Sequence, residues 1–308
     1  MVDARHELED LLAGGTAVER LGGGMAWAEG PLWVPSRRAV RCSDIPGDRV
    51  MEWHEPTGSW GVLAEGVEFT NGRTLGLGGE VVQCSHGRRR VEVERDGVVT
   101  GLVDSWRGHR LNSPNDVVVR SDGTVWFTDP SYGIHRAAEG HPGEEEYGGH
   151  HVFRHDPATG ELDAVVTDVA MPNGLAFSPD QRVLYVADSS RSPTRDDDPP
   201  GDGHAVHAYD VVDGRRCERG RVLAEVDPGL PDGVRVDEHG HVWTTSATAV
   251  LVLRPDGSEV GRVPVGEVVS NLCFGGGAGT DVFVTASTSL YRLRTRVRDA
   301  AAVLAPRG

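Results

Sequence analysis

The chain has 308 residues, 31 basic and 47 acidic side chains and a formal net charge of −16, and every non-histidine base is arginine. The lack of lysine excludes Schiff-base chemistry and a P-loop lysine. The negative charge argues against nucleic acid or an anionic membrane as partner and favours a cationic ligand.

Cys42, Cys84, Cys217 and Cys273 form no CxxC pair. They read as small core residues in a reducing compartment, not as a zinc ribbon or redox motif. Met1 to Leu8 is charged, and no run approaches membrane-spanning length, so a cytoplasmic protein is expected. Nothing in the sequence specifies an oligomeric state.

Residues 1–15 form an N-terminal extension. Leu8, Leu11 and Leu12 at helical spacing, ended by Gly14-Gly15, predict a short docked helix there. Residues 16–308 read as one further domain. Ala17 to Leu21 predicts a strand. Gly22-Gly23-Gly24 precedes a strand rather than a helix, which argues against a phosphate loop.

The stretch Leu111 to Asp129 shows the grammar of the rest. A polar turn, Asn112 to Asp116, leads into Val117 to Val119; Ser-Asp-Gly reverses the chain; Thr124 to Thr128 returns. The same pattern occurs six times. It opens at Glu29, Asn71, Asn115, Asn173, Asp232 and Asn271 and ends at Asp44, His86, Asp129, Asp188, Ser246 and Ala286. The separations are 15, 15, 14, 15, 14 and 15 residues. Openings recur roughly every 38 to 60 residues, the range of a propeller blade.

Further strand signals follow each hairpin, as in Arg49 to His54 and Trp60 to Ala64. Four antiparallel strands repeated six times predict an all-β fold, a six-bladed β-propeller with a central metal site. The last unit lacks a fourth strand, which Ala17 to Leu21 is expected to supply, closing the ring. Two units carry insertions after the second strand, 135–150 and 191–203. Their acidic runs, Glu144 to Glu146 and Asp196 to Asp198, read as solvated loops and do not fit an EF-hand.

In such a meander the six openings face one mouth of the central channel. The ends of the second strands ring the same face, and the insertions overhang it. Two of the six converging side chains are carboxylates, and no arginine stands at an opening. At about 4 Å, two like charges repel by roughly 4 kcal/mol at an effective dielectric near 20. A divalent cation relieves this. All-oxygen donors favour Ca²⁺, Mg²⁺ or Mn²⁺ over thiolate- or imidazole-bound Zn²⁺. Asn71 and Asn271 either join this set or cap turns.

On Glu29-Gly-Pro-Leu-Trp, Leu111-Asn-Ser-Pro-Asn-Asp, Trp126 to Gly133, Pro172-Asn-Gly and Pro231-Asp-Gly, the chain resembles the senescence marker protein/gluconolactonase, or regucalcin-like, family. Its bacterial sugar-lactone lactonase branch matches best, from about Val18 to about Val297. The resemblance implies one catalytic divalent cation, Ca²⁺ first, with Mg²⁺, Mn²⁺ or Zn²⁺ as alternatives. It implies Glu29, Asn173 and Asp232 as metal ligands, Asn115 as a substrate-contacting residue that also reaches the metal, and Asp232 as catalytic acid/base. Animal relatives place a substrate-binding arginine where Ser113 stands, with Arg110 nearby. The substrate-side candidates are therefore Asn115, Ser113 and Arg110.

The expected reaction is hydrolysis of a sugar-acid lactone by Lewis-acid activation of carbonyl and water. Asp129 and Asp188 either orient the ligand residues or cap strand ends. Tyr132 either walls the pocket or packs in the core. A phosphotriesterase or aryl esterase on the same metal site is one alternative; a non-catalytic calcium-binding propeller is another. No GxSxG elbow occurs, and a glycosidase carboxylate pair would hold no metal between its members.

Overall fold

The computed structural model describes residues 4–13, 15, 17–192 and 201–303. It contains six four-stranded antiparallel sheets arranged as a six-bladed propeller. Blade I comprises Ala28–Val34, Ala39–Asp44, Arg49–His54 and Ser59–Glu65. Blade II runs from Thr70–Leu75 to Val98–Val103, blade III from Val117–Val119 to Glu161–Val166, blade IV from Pro172–Phe177 to Arg216–Glu225, and blade V from Val234–Val236 to Glu259–Pro264.

Blade VI takes three strands from the end of the chain, Val269–Gly275, Asp281–Ala286 and Ser289–Arg294. Its fourth is Val18–Gly23, antiparallel to Ser289–Arg294 with Val18 opposite Leu293. The closing strand lies where the sequence predicts it. The extension also forms its helix, Ala4–Leu11. Leu8, Leu11 and Leu12 bury against Val260, Val263 and Val297, and Glu7 pairs with Arg254. Among the described residues no helix is long and apolar enough to cross a membrane.

The core lies between blades. Trp33, Val40 and Trp53 of blade I pack on Cys273, Phe283 and Leu290 of blade VI. Trp126 of blade III meets Leu175, Phe177 and Leu184 of blade IV. The innermost strands are covered on both faces, and the buried polar residues they carry, such as Arg73 and Arg235, are held by hydrogen bonds. All four cysteines are free, and three of them are buried.

Around the axis the blades are fastened by hydrogen bonds at one level. Gly72 N donates to Asn115 O at 2.8 Å, Gly174 N to Asp232 O at 2.9 Å, and Gly233 N to Ser270 O at 2.8 Å. This explains the glycine that follows several openings. A Cβ on Gly30 would lie 2.1 Å from the Asn71 carbonyl oxygen, with φ at +49°; one on Gly174 would lie 2.3 Å from that of Asp232. Neighbouring backbones approach too closely for a side chain. Blade III has Asp116 at the corresponding place, and its carboxylate reaches Arg235 of blade V at 3.1 Å.

The 135–150 insertion is not a free loop. Arg89 Nη2 donates to Glu144 O, Glu145 pairs with His150 at 3.2 Å, and Arg110 N donates to Glu146 Oε2. Glu144 and Glu146 are exposed, as a solvated run requires, while the segment is anchored through the Glu144 backbone carbonyl and the Glu145 and Glu146 carboxylates. The run Asp196 to Asp198 lies outside the described residues.

Candidate functional site

Three of the six strand-two ends share one role. Asp44 Oδ1 accepts from Trp27 N, Asp129 Oδ2 from Asn112 N and Asp188 Oδ1 from Met171 N, each across 17 residues. In each of these cases the donating backbone belongs to the short run entering an opening residue. These aspartates act as caps that hold Glu29, Asn115 and Asn173 through their approach loops; they do not touch those side chains. Asp129 is fully buried and also accepts from the Tyr147 hydroxyl at 2.6 Å. Burial, partly offset by these bonds, raises its carboxyl to about 6.

The openings converge on a cavity of about 370 Å³, lined by Glu29, Asn71, Asn115, Asn173 and Asp232 among others. Glu29 Oε2 accepts from Gly30 N at 2.8 Å and from Asn271 Nδ2 at 3.1 Å. Asn71 Nδ2 donates to Asn115 Oδ1, and Asn115 Nδ2 donates to Asn173 Oδ1 at 3.1 Å. Asp232 is held by its backbone, whose N–H donates to Thr245 Oγ1 at 2.8 Å. Its Oδ1 is sealed from solvent with no hydrogen-bond partner among the described residues, as is Asn71 Oδ1.

Burial raises the Glu29 carboxyl to about 7, with the charges of Asp116 and Glu139 adding to the effect. Asp232 is raised well above its ordinary value, first by burial and then by the charge of Glu29. Two buried acids, the charge of Glu29 opposing ionisation of Asp232, beside an orphaned amide oxygen and an orphaned carboxylate oxygen, make a donor set that a divalent cation fits. Glu29, Asn115, Asn173 and Asp232 can each present a side-chain oxygen, and the third carboxylate of the lining, Glu139, is paired with Arg136 at 3.0 Å.

The mouth is built by residues that sequence reasoning missed. The turn after Asp129 forms the short helix Tyr132–His135 and then presents Arg136 and Glu139 to the cavity. Arg136 pairs with Glu139 at 3.0 Å, lies over the Tyr132 ring at 4.8 Å, and donates to Ser192 Oγ at 3.0 Å, joining the two insertions. Trp27, Ile45, Leu230 and Val268 form an apolar wall. Arg136 and Glu139 carry no local signal, since an Arg and a Glu three apart also describe any exposed turn. Tyr132 is buried and lines the pocket, so both of its expected fates are met.

Two expected substrate-side residues are not brought there. Ser113 is fully buried; its Oγ donates to Pro130 O at 2.7 Å and accepts from Gly133 N at 2.9 Å. Arg110 is exposed on the two-stranded hairpin Ser105–Trp106/His109–Arg110 between blades II and III, outside the cavity lining. Arg136 is the guanidinium that reaches the pocket. A larger cleft, about 770 Å³, lies outside the channel between blades I and II. There Arg41 is matched by Glu52 and Glu94, and the buried Arg73 guanidinium donates to Gly30 O and Ser43 Oγ.

Residues 27–288 match the model of the SMP-30/Gluconolactonase/LRE-like region. The gluconolactonase of Zymomonas mobilis is 31% identical, over 94% of this chain and 84% of its own. A solved gluconolactonase from Xanthomonas campestris shares 36% identity with a TM-score of 0.86, covering 94% of this chain and 93% of that one. The structure of a proposed gluconolactonase shares 40% identity with a TM-score of 0.89, covering 96% and 98%.

Proposed function

The chain belongs to the SMP-30/gluconolactonase/LRE-like family, and on that premise we propose that it hydrolyses a sugar-acid lactone with the help of one divalent cation. The observation that carries the reading is the meeting of Glu29 and Asp232, from blades I and V, with the Asn115 and Asn173 amides on one cavity. The names of two similar proteins, both gluconolactonases, support the substrate class.

Glu29, Asn115, Asn173 and Asp232 would hold the cation, Ca²⁺ being favoured by the oxygen donors. Bound there, it supplies Lewis acidity toward the lactone carbonyl and toward water. The chain's own groups do the rest. Asp232 lines the cavity, and one of its carboxylate oxygens has no hydrogen-bond partner among the described residues. It takes a proton from the attacking water as the water oxygen bonds to the carbonyl carbon. When the ring C–O bond breaks, it returns that proton to the departing alkoxide, giving the open hydroxy acid. Asn115 and Asn173, tethered to each other, fix the amide side of the site. Arg136 and Ser192 narrow the mouth and limit water around the reacting group.

A pH-stat assay over a panel of aldonolactones, with and without chelator, tests the proposal. Cation-dependent acid release that Asp232→Asn abolishes is expected. Release that survives chelation, or survives the substitution, refutes it.

A further inference from the structure

Asn71 sits on the innermost strand of blade II, is 3% exposed and lines the cavity. Its amide nitrogen has two hydrogens, and both are used. One goes to Asn115 Oδ1, and the other faces His86 Nε2 at 3.3 Å. His86 is fixed in turn from its far side, where Nδ1 lies 3.0 Å from the backbone carbonyl of Glu139. A carbonyl only accepts, so Nδ1 carries the proton and Nε2 presents a lone pair to Asn71.

The Asn71 amide therefore cannot turn over. Flipping it would set its oxygen against the Nε2 lone pair and against Asn115 Oδ1. The locked orientation leaves Asn71 Oδ1 buried with no partner among the described residues. An unsatisfied buried carbonyl oxygen is costly unless a donor arrives with a ligand. This oxygen belongs to the blade covered by the overhanging loop, through the His86 contact to Glu139, and Glu139 itself lines the same cavity. Asn71 itself lines the cavity that a ring would enter past Glu139 and Arg136.

We propose that Asn71 is a specificity residue whose Oδ1 accepts a hydrogen bond from a ring hydroxyl of the substrate, and that His86 is the positioning residue that keeps this oxygen turned to the pocket. The inference rests on the lactonase reading and adds a requirement for hydroxylation. A site with a buried acceptor discriminates against a ligand that lacks the matching donor.

The test compares glucono-1,5-lactone with δ-valerolactone, which has no hydroxyl. In Asn71→Ala the ratio of kcat/KM for the first over the second falls by about ten-fold or more. His86→Leu lowers the ratio similarly, and His86→Gln, which can still accept from Asn71, restores most of it. An unchanged ratio overturns the proposal. So does loss of Ca²⁺ affinity by calorimetry in folded Asn71→Ala, which would make Asn71 a cation ligand. Should the unmodified protein open neither lactone, the parent reading fails, and the hydroxyl contact is judged by NMR titration with 1,5-anhydroglucitol. Weaker binding in the Asn71 and His86→Leu variants sustains it; equal binding, or none to the unmodified protein, overturns it.

Discussion

Asn271 Nδ2 donates to Glu29 Oε2 at 3.1 Å, joining residues 242 positions apart. The bond links the last blade to the first at the floor of the cavity. The same junction carries the stacked Trp33 and Phe283 rings and is held by the strand Val18–Gly23. Site geometry thus depends on ring closure. Removing residues 1–24 exposes the edge of Ser289–Arg294. The truncated protein should unfold less cooperatively and self-associate, as read by calorimetry and size-exclusion chromatography. A sharp monomeric transition would show that closure is dispensable.

The buried acids set a pH dependence. The Glu29 carboxyl is raised from 4.5 to about 7 in the folded state. Its stabilising effect in cation-free protein is therefore full below the unfolded value and is lost as pH rises through the folded one, a loss of roughly 3 kcal/mol. Asp232 shifts in the same direction. Urea denaturation in chelator should show stability falling between about pH 5 and about pH 8, and saturating Ca²⁺ should flatten the slope.

Gly174 approaches the Asp232 carbonyl so closely that a Cβ would sit 2.3 Å from it. Gly174→Ala pushes blades IV and V apart beside two expected ligands. A destabilisation of about 2–3 kcal/mol is expected, with weaker Ca²⁺ binding by calorimetry. Normal cation affinity in this variant would mean that the two blades move independently of the site.

Asp129 serves the site from a distance. Asp129→Ala leaves the Asn112 N–H and the Tyr147 hydroxyl without their carboxylate acceptor. Chemical denaturation should show a loss of about 2–4 kcal/mol, and Asp129→Asn, whose amide oxygen can still accept from both donors at the Oδ2 position, a smaller one. The Asn variant also removes the carboxyl raised to about 6. Stability that this carboxyl loses as pH rises through that value should then no longer be lost.

Much of this protein is written locally. Strand period, Asp-Gly turns and the regular spacing from opening to ending residue fixed the blade count, the closing strand and the convergence of Glu29, Asn115, Asn173 and Asp232, because a meander repeats its direction every four strands. Asp129 and Asp188 were legible as residues that either orient the ligand residues or cap strand ends, and the structure shows them accepting from backbone N–H groups 17 residues upstream. Tertiary structure alone decided what each polar group faces. Ser113 was spent on Pro130 and Gly133, Arg136 rather than Arg110 was carried to the mouth, and His86 was set against Asn71. Such choices follow from which donor and acceptor meet when separate blades pack, and no spacing within one blade encodes them.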